Sequence, residues 1–140
     1  MDRFICLDIG DKRIGIAVSD PFNTYALPVK TYTRKNLKTD LSSISSLVKE
    51  KFATAIVCGL PVNFDGTPSI QTERAKFFID KLKELGYIVY TVDERCTSIE
   101  AEETLKEQGK SIMESKKFVD ALAATSILEG FLLEYNKNKK

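Results

Sequence analysis

The 140-residue sequence contains no histidine and only three cysteines. Without histidine there can be no Ser-His or Cys-His nucleophile pair, no imidazole general base and no His-ligated zinc. Cys6, Cys58 and Cys96 form no C-x-x-C pair, and we interpret them as reduced thiols of a cytoplasmic protein. Any chemistry must therefore use carboxylates, lysines, hydroxyls, thiols or a water activated by a metal ion.

The sequence also lacks an excess of charge and a long hydrophobic run. Its 21 basic and 20 acidic side chains give a net charge of +1, so nucleic-acid binding would depend on a local patch. No apolar run approaches the ~18–20 residues of a membrane span, and no secretory leader precedes Asp2 and Arg3. We therefore expect a cytoplasmic protein without a membrane partner, folded as one domain over residues 1–140.

Hydrophobic spacing predicts an α/β architecture that begins with a hairpin. Two apolar strands, 4–9 and 13–19, flank the turn residues Gly10, Asp11 and Lys12. Further strands are predicted at 29–33, 54–58 and 87–92, and helices at 37–52, from Ala75 to a stop at Gly86, from Thr97 with a capping box to Glu100, and along 118–131. Residues 59–68 have the composition of a loop. An antiparallel unit followed by crossovers to parallel strands places ligands at the carboxyl ends of the strands.

Asp8 is the first carboxylate in an unusual position. It lies inside an apolar strand, on the same face as Phe4 and Cys6 by two-residue periodicity. A buried carboxylate is costly unless it has a partner or binds a metal ion. A structural aspartate bonded to backbone or to a lysine would explain it equally well.

Asp93 and Glu94 form the second position. They follow the strand YIVYTV directly, at the end where binding sites gather. Arg95 could pair with either carboxylate, and a solvated acidic turn with an internal salt bridge is the alternative explanation. The residue pattern alone does not separate Asp93 from Glu94.

Asp120 is the third position, near the start of the last predicted helix. A carboxylate in a first turn is favoured by the helix dipole by ~0.3–1 kcal/mol, which alone could explain it. The same dipole disfavours Lys116 and Lys117, and a nearby phosphate ligand or plain solvation would account for them. Carboxylates at these three positions could face a common point, as two divalent ions ~3.5–4 Å apart require. Oxygen ligands alone suit Mg²⁺ or Mn²⁺.

Four segments resemble the YqgF family of pre-16S rRNA nucleases, also described as Holliday-junction-resolvase-like proteins. They are DIGDKRIGIAVSD, GLPVNFDG, DERCTS and VDALAA, in the expected order over nearly the whole chain. The resemblance implies a ribonuclease H-like fold, with a mixed five-stranded sheet of three antiparallel strands and then parallel strands, and helices on both faces. Cys96 stands where a leucine is expected, and Pro68 lies in a loop expected to be glycine-rich; neither removes an acidic ligand.

The resemblance also implies the site. Asp8, Glu94 and Asp120 would be the catalytic ligands of Mg²⁺ or Mn²⁺. The candidate substrate contacts are Lys12, Arg13, Asn63, Asp65, Arg95, Lys116 and Lys117. A solvated basic surface and a simple Asn/Asp-Gly turn are the alternatives for these contacts.

The activity implied is metal-dependent phosphodiester hydrolysis at the 5′ end of pre-16S rRNA, with a pre-ribosomal particle as a candidate partner. The main alternative is resolution of branched DNA, which favours a two-fold dimer, although the oligomeric state cannot be read from the sequence. A small ATPase or sugar kinase would need a second domain. A non-catalytic nucleic-acid-binding module would predict loss of one acid, and all three are present.

Overall fold

The computed structural model describes residues 3–10, 12–61, 69–94 and 112–138. In chain order the elements are β1 (Phe4–Ile9), β2 (Arg13–Ser19), β3 (Ala26–Thr33), α1 (Leu37–Glu50), β4 (Ala55–Pro61), α2 (Ile70–Glu84), β5 (Val89–Glu94) and α3 (Ile112–Asn138). The predicted hairpin and the predicted order of these elements are confirmed. The helix predicted to start at Thr97 lies outside the described residues.

The five strands form one mixed sheet in the order β3-β2-β1-β4-β5. Strand β2 is antiparallel to both β1 and β3, whereas β4 is parallel to β1 and to β5. The sheet topology expected from the family resemblance is therefore confirmed. Strands β1, β3, β4 and β5 all end at the same edge of the sheet, which we call the carboxyl edge, and the β1–β2 turn lies there too.

Three strands differ in extent from the prediction. Strand β3 starts at Ala26, because an edge strand tolerates Pro28 and a bulge at Val29, opposite Ile16 and Ala17, shifts the register. Strand β4 continues to Pro61, so residues 59–61 are not loop; parallel pairing with β5 outweighs their glycine and proline content. Strand β5 covers residues 89–94, so it includes the acidic pair predicted to follow it.

Helices α1 and α2 cover one face of the sheet. Leu7 and Ile16 point to this face and pack with Ile44 of α1 and with Phe78 and Leu82 of α2, all fully buried. Each such side chain contributes about 1.5–3 kcal/mol to stability. As predicted, α2 stops before Gly86, which has a φ of +97°. Large apolar side chains thus hold this face together.

Helix α3 covers the opposite face, which we call the α3 face. Cys6 and Ala17 of the sheet pack here against Ala124 and Leu128 of the helix. Phe4 contributes an edge-on aromatic contact with Phe131, with ring centroids 4.9 Å apart. Helices therefore lie on both faces, as expected. No helix within the described ranges is long and apolar enough to cross a membrane.

Candidate active site

Asp8 lies near the carboxyl end of β1, with only 8% of its surface exposed. Its residue partners are Gly15 on β2 and Gly59 on β4. Both neighbouring strands therefore lack a side chain beside Asp8. By strand alternation Asp8 faces α3, together with Phe4 and Cys6. The continuous strand on which the sequence-based placement of Asp8 depends is confirmed.

Gly15 allows α3 to approach the sheet beside Asp8. A Cβ atom at position 15 would clash with the carbonyl group of Asp120, so backbone lies against backbone at this point. The helix residues that follow, Ala121, Ala123 and Ala124, are small and buried. Gly15 is the register partner of Asp8, so the helix backbone at Asp120 meets the sheet one strand away from Asp8.

Asp120 forms an ion pair with Arg13, the first residue of β2. The Arg13 Nε donates to Asp120 Oδ2 at 2.7 Å, with 43% of the arginine side chain and 22% of the aspartate side chain exposed. Sequence reasoning assigned Arg13 to the substrate and Asp120 to a metal ion. In the structure the two side chains bind each other, and exposure limits the stabilisation to about 0–1 kcal/mol.

The expectation that Asp120 lies in the first turn of its helix is wrong. Helix α3 already includes Ile112, eight residues earlier. The effect of a helix dipole falls off within the first turn, so the dipole does not account for the carboxylate. The same holds for the argument about Lys116 and Lys117, which lie more than one turn after Ile112. Contact with β2 through Gly15 and Arg13 is what places Asp120.

The register of β4 and β5 separates Asp93 from Glu94. Val92 is paired with Gly59, and Glu94 with Pro61. Val92 packs in the hydrophobic cluster on the α3 face. Strand alternation therefore assigns position 94 to the face that carries Asp8, and position 93 to the opposite face. Only the backbone of these two acidic residues is described.

The remaining predicted contacts are placed unevenly. Lys12 is exposed in the β1–β2 turn. Lys116 and Lys117 belong to α3, where only their backbone is described. Three further candidates lie outside the described residues: Asn63, Asp65 and Arg95.

The structure thus places the backbone of Asp120 against Gly15, the register partner of Asp8. Among the side chains that it describes, no group of three His, Cys, Asp or Glu residues could hold a metal ion. The third predicted ligand, Glu94, is not among those side chains. Carboxylate oxygens are the donors that Mg²⁺ and Mn²⁺ accept, and the glycines beside Asp8 add no competing side chain.

The two described thiols do not act as nucleophiles in this region. Neither Cys6 nor Cys58 is in a disulfide, and both are fully buried. Burial raises the pKa of the Cys58 thiol far above its ordinary value, although Lys83 lowers it slightly. A protonated, buried thiol is inert. Cys96 lies outside the described residues.

A family model described as "RuvX: Holliday junction resolvase" matches residues 2–134. This range includes all five strands and most of α3. This chain belongs to the RuvX family. The relationship predicted from four short segments is therefore confirmed, and the match includes Asp8, Glu94 and Asp120 within its span.

Curated relatives of this RuvX-family chain carry one name. The "Putative pre-16S rRNA nuclease" of Koribacter versatilis is 42% identical over 131 residues, covering 93% of this chain and 86% of the relative. The protein of the same name from Clostridium tetani is 42% identical over 137 residues, covering 96% of this chain and 99% of the relative. The similarity thus extends over whole chains.

Solved structures establish the fold of the RuvX-family chain. Thermus thermophilus RuvC, in complex with a Holliday junction substrate, matches with a TM-score of 0.60 at 12% identity, over 97% of both chains. The fowlpox virus resolvase with Holliday junction DNA matches with a TM-score of 0.56 at 13% identity, over 95% of this chain and 98% of that one. The resolvase-like, ribonuclease H-like fold expected from the sequence is confirmed.

Sequence reasoning missed the contribution of Gly15 and Gly59. An isolated glycine inside an apolar strand often marks a close approach of another backbone, and the strand RIGIAVS contains one. That signal was available for Gly15. Gly59 was interpreted as part of a loop, so its pairing with Asp8 could not be anticipated.

Proposed function

We propose that this protein is a metal-dependent nuclease that hydrolyses phosphodiester bonds at the carboxyl edge of its sheet. The observation that carries the proposal is the close approach of the Asp120 backbone to Gly15, the register partner of Asp8. The register assigns Glu94 to the same face. We assign Asp8, Glu94 and Asp120 as ligands of Mg²⁺ or Mn²⁺ within a single domain of residues 1–140.

These residues fit a hard divalent cation because all of their donor atoms are carboxylate oxygens, and the chain contains no histidine. When bound, such a cation activates the attacking water and neutralises charge on the scissile phosphate. Asp8, nearly buried and flanked by glycines, holds the innermost position. Asp120 lies against Gly15 of β2, on a helix whose small, buried alanines allow it to pack closely on the sheet.

Arg13 acts as a positioning residue in this scheme. Its Nε fixes the Asp120 carboxylate through Oδ2, and its positive charge offsets the repulsion between two neighbouring carboxylates. The half-exposed guanidinium keeps further N–H donors for a phosphate oxygen. Lys12, next to it in the turn, is the nearest additional phosphate contact. Asn63, Asp65, Arg95, Lys116 and Lys117 remain proposed substrate contacts.

The proposed substrate is the 5′ end of pre-16S rRNA. Support comes from the name shared by relatives that are 42% identical over nearly the whole chain. A net charge of +1 disfavours tight, salt-driven binding to naked nucleic acid, which favours a structured precursor or a pre-ribosomal particle as the partner.

Branched DNA is the second candidate substrate. It is favoured by the description of the family model and by the fold shared with RuvC and the fowlpox virus resolvase. Resolution requires two symmetric cuts and therefore a two-fold dimer. A non-catalytic nucleic-acid-binding module would instead bind substrate and leave it intact.

The decisive experiment compares cleavage of an RNA spanning the pre-16S 5′ end with cleavage of a four-way DNA junction. Each substrate is incubated with Mg²⁺, Mn²⁺ or EDTA. We expect metal-dependent RNA cleavage that Asp8→Asn abolishes, because this change removes a charged ligand and preserves shape. Asp80→Asn, an exposed aspartate of α2, is the matched control and should cleave normally.

The possible results separate the candidates. Cleavage of the junction alone would assign the resolvase function. Binding of either substrate, without cleavage in Mg²⁺ or in Mn²⁺, would support the non-catalytic module. Equal cleavage by Asp8→Asn and the unmodified protein would contradict the proposed site, wherever the substrate preference lies.

A further inference from the structure

A second concave region lies at the carboxyl edge, on the face of the sheet opposite the α3 face. It is an open groove of about 840 Å³. Its walls are the β1–β2 turn at Lys12, the start of α1 at Asn36 and Leu37, and the first turns of α2 from Ile70 to Phe77. We call it the edge groove. Neither Asp8 nor Asp120 is among its lining residues.

The edge groove concentrates positive charge. Among the described residues, four cationic side chains and two carboxylates line it: Lys12, Arg34, Lys35, Arg74, Asp40 and Glu73. Asp40 is already paired with Arg34, with 3.0 Å between Oδ2 and Nε. These lining residues have a net charge of +2, whereas the whole chain has a net charge of +1. This is the local patch that nucleic-acid binding requires of a nearly neutral chain.

The groove also presents an exposed aromatic ring. Phe77 is 54% exposed and Ile70, two turns earlier on α2, is 72% exposed. The Nζ of Lys81 lies 5.3 Å from the centroid of the Phe77 ring. An aromatic side chain with cations beside it is the usual platform on which single-stranded nucleic acids stack their bases. A purely electrostatic surface would not need the ring.

Fixed contacts build the groove before any ligand binds. Arg34 donates from Nη1 to the carbonyl oxygen of Gly10 at 3.0 Å, and its backbone N–H donates to the carbonyl oxygen of Lys12 at 2.9 Å. Its guanidinium also lies over the ring of Phe78, 5.1 Å from the centroid. The turn, β3 and α2 are therefore held in a fixed relation.

The β1–β2 turn connects the edge groove to the proposed cleavage site. Gly10, which Arg34 holds, is only two residues after Asp8. Lys12 lines the groove, and Arg13 binds Asp120 on the other face. A strand that passes over this turn would meet both regions.

We propose that the edge groove binds a single-stranded segment of nucleic acid, with phosphates on Lys12, Lys35 and Arg74 and a base stacked on Phe77. The inference that this segment continues to the scissile bond rests on the proposed nuclease function. The inference that the groove binds a single strand does not rest on that function. If both proposals hold, the substrate must have a single-stranded segment beside the bond that is cleaved.

The test measures fluorescence anisotropy of labelled RNA and DNA strands of about 12 nucleotides, and of a blunt duplex, in EDTA to prevent cleavage. Phe77→Ala is expected to weaken single-strand binding about fivefold or more. Lys35→Ala with Arg74→Ala is expected to reduce the slope of log K against log salt by about 1.4, at about 0.7 per phosphate contact. The RNA and DNA arms identify which strand the groove prefers.

Matched controls are Leu85→Ala for the exposed apolar side chain and Lys49→Ala for the surface lysine, both outside the groove. Unchanged binding in the groove variants, equal losses in the controls, or tighter binding of the duplex would overturn the proposal. Asp8→Asn separates the two proposals, because it should bind the strand normally. If the unmodified protein binds single strands in this way but cleaves no substrate, the proposal for the edge groove stands and the proposed nuclease function fails.

Discussion

Each face of the sheet holds an aspartate paired with an arginine at the carboxyl edge, and the two pairs differ in what else binds the carboxylate. Under α1 and α2, Asp40 accepts from Tyr32 Oη, Arg34 Nε and the backbone N–H of Lys35, at 2.9–3.0 Å. On the α3 face, Asp120 accepts from Arg13 Nε, and both side chains are partly exposed.

The contrast extends to ionisation. Burial of Asp40 disfavours its charged form, but the Lys35 N–H, Arg34 and Tyr32 outweigh burial and hold the pKa of Asp40 below its ordinary value. A carboxylate that accepts from three protein donors connects the elements that carry them and has a structural role. A carboxylate held by one exposed arginine keeps lone pairs for a ligand. The difference teaches that burial alone does not mark a functional aspartate.

Substitution of the two aspartates should give the largest difference. Asp40→Ala is expected to lower the free energy of unfolding by about 3 kcal/mol, because it leaves the largely buried Arg34 guanidinium without its counter-ion. Asp120→Ala should change stability by about 1 kcal/mol or less and abolish cleavage. Urea unfolding and the RNA cleavage assay measure the two effects. A greater loss of stability in Asp120→Ala than in Asp40→Ala would contradict the conclusion that Asp40 is the structural aspartate of the two.

Two glycines test how tightly α3 must approach the sheet. Gly15→Ala is expected to cost about 1–3 kcal/mol and to lose cleavage, because the new methyl group meets backbone that cannot move aside. Gly130→Ala, in the same helix, meets nothing within 4 Å and should raise stability by about 0.5–1 kcal/mol. Thermal unfolding of both variants decides this. Normal cleavage by Gly15→Ala would show that Asp120 need not lie so close.

Acid should act on the α1/α2 face through Asp40. Its pKa is lowered on folding, so its contribution to stability is complete above the ordinary value near 3.8 and is lost as pH falls through the lowered value. Asp40→Asn should therefore flatten the fall in unfolding free energy below about pH 4. Asp20 accounts for a second part of the loss of stability in acid. Burial raises its pKa, but hydrogen bonds from the backbone N–H groups of Tyr25, Thr24 and Phe22 outweigh burial and lower it. An unchanged acid limb in Asp40→Asn would contradict this.

Loss of the exposed arginine should have the smallest effect. Arg13→Gln is expected to change the free energy of unfolding by less than about 1 kcal/mol, and about 1 M salt should remove the difference, since the pair is solvent-exposed. Denaturation at low and high salt provides the measurement. A salt-independent loss would mean that Arg13 stabilises the site through packing instead of charge.

Local chemistry was sufficient to predict the two strands of the hairpin. Strands β1 and β2 have the predicted bounds, because two apolar runs flank the turn residues Gly10 and Lys12 and pair directly across that turn. Strand β4 was underestimated, because Gly59 and Pro61 oppose a strand locally and only pairing with β5 overrides them. Tertiary context therefore decided the part of the fold nearest the site.

The site divides in the same way. The unusual position of Asp8 is visible from its apolar neighbours alone. The assignment of Glu94 over Asp93 needs the sheet register, which no spacing within one strand contains. The pairing of Arg13 with Asp120 joins residues 107 positions apart, and no local pattern encodes it.

That separation of 107 positions also sets the order in which the site is assembled during synthesis. At roughly 5–20 residues per second, Asp8 and Arg13 exist for about 5–20 s before the ribosome adds Asp120. A nascent chain in that interval carries the hairpin without its second carboxylate. The proposed site would thus be incomplete during most of synthesis, and would be assembled only after the last helix has docked on the sheet.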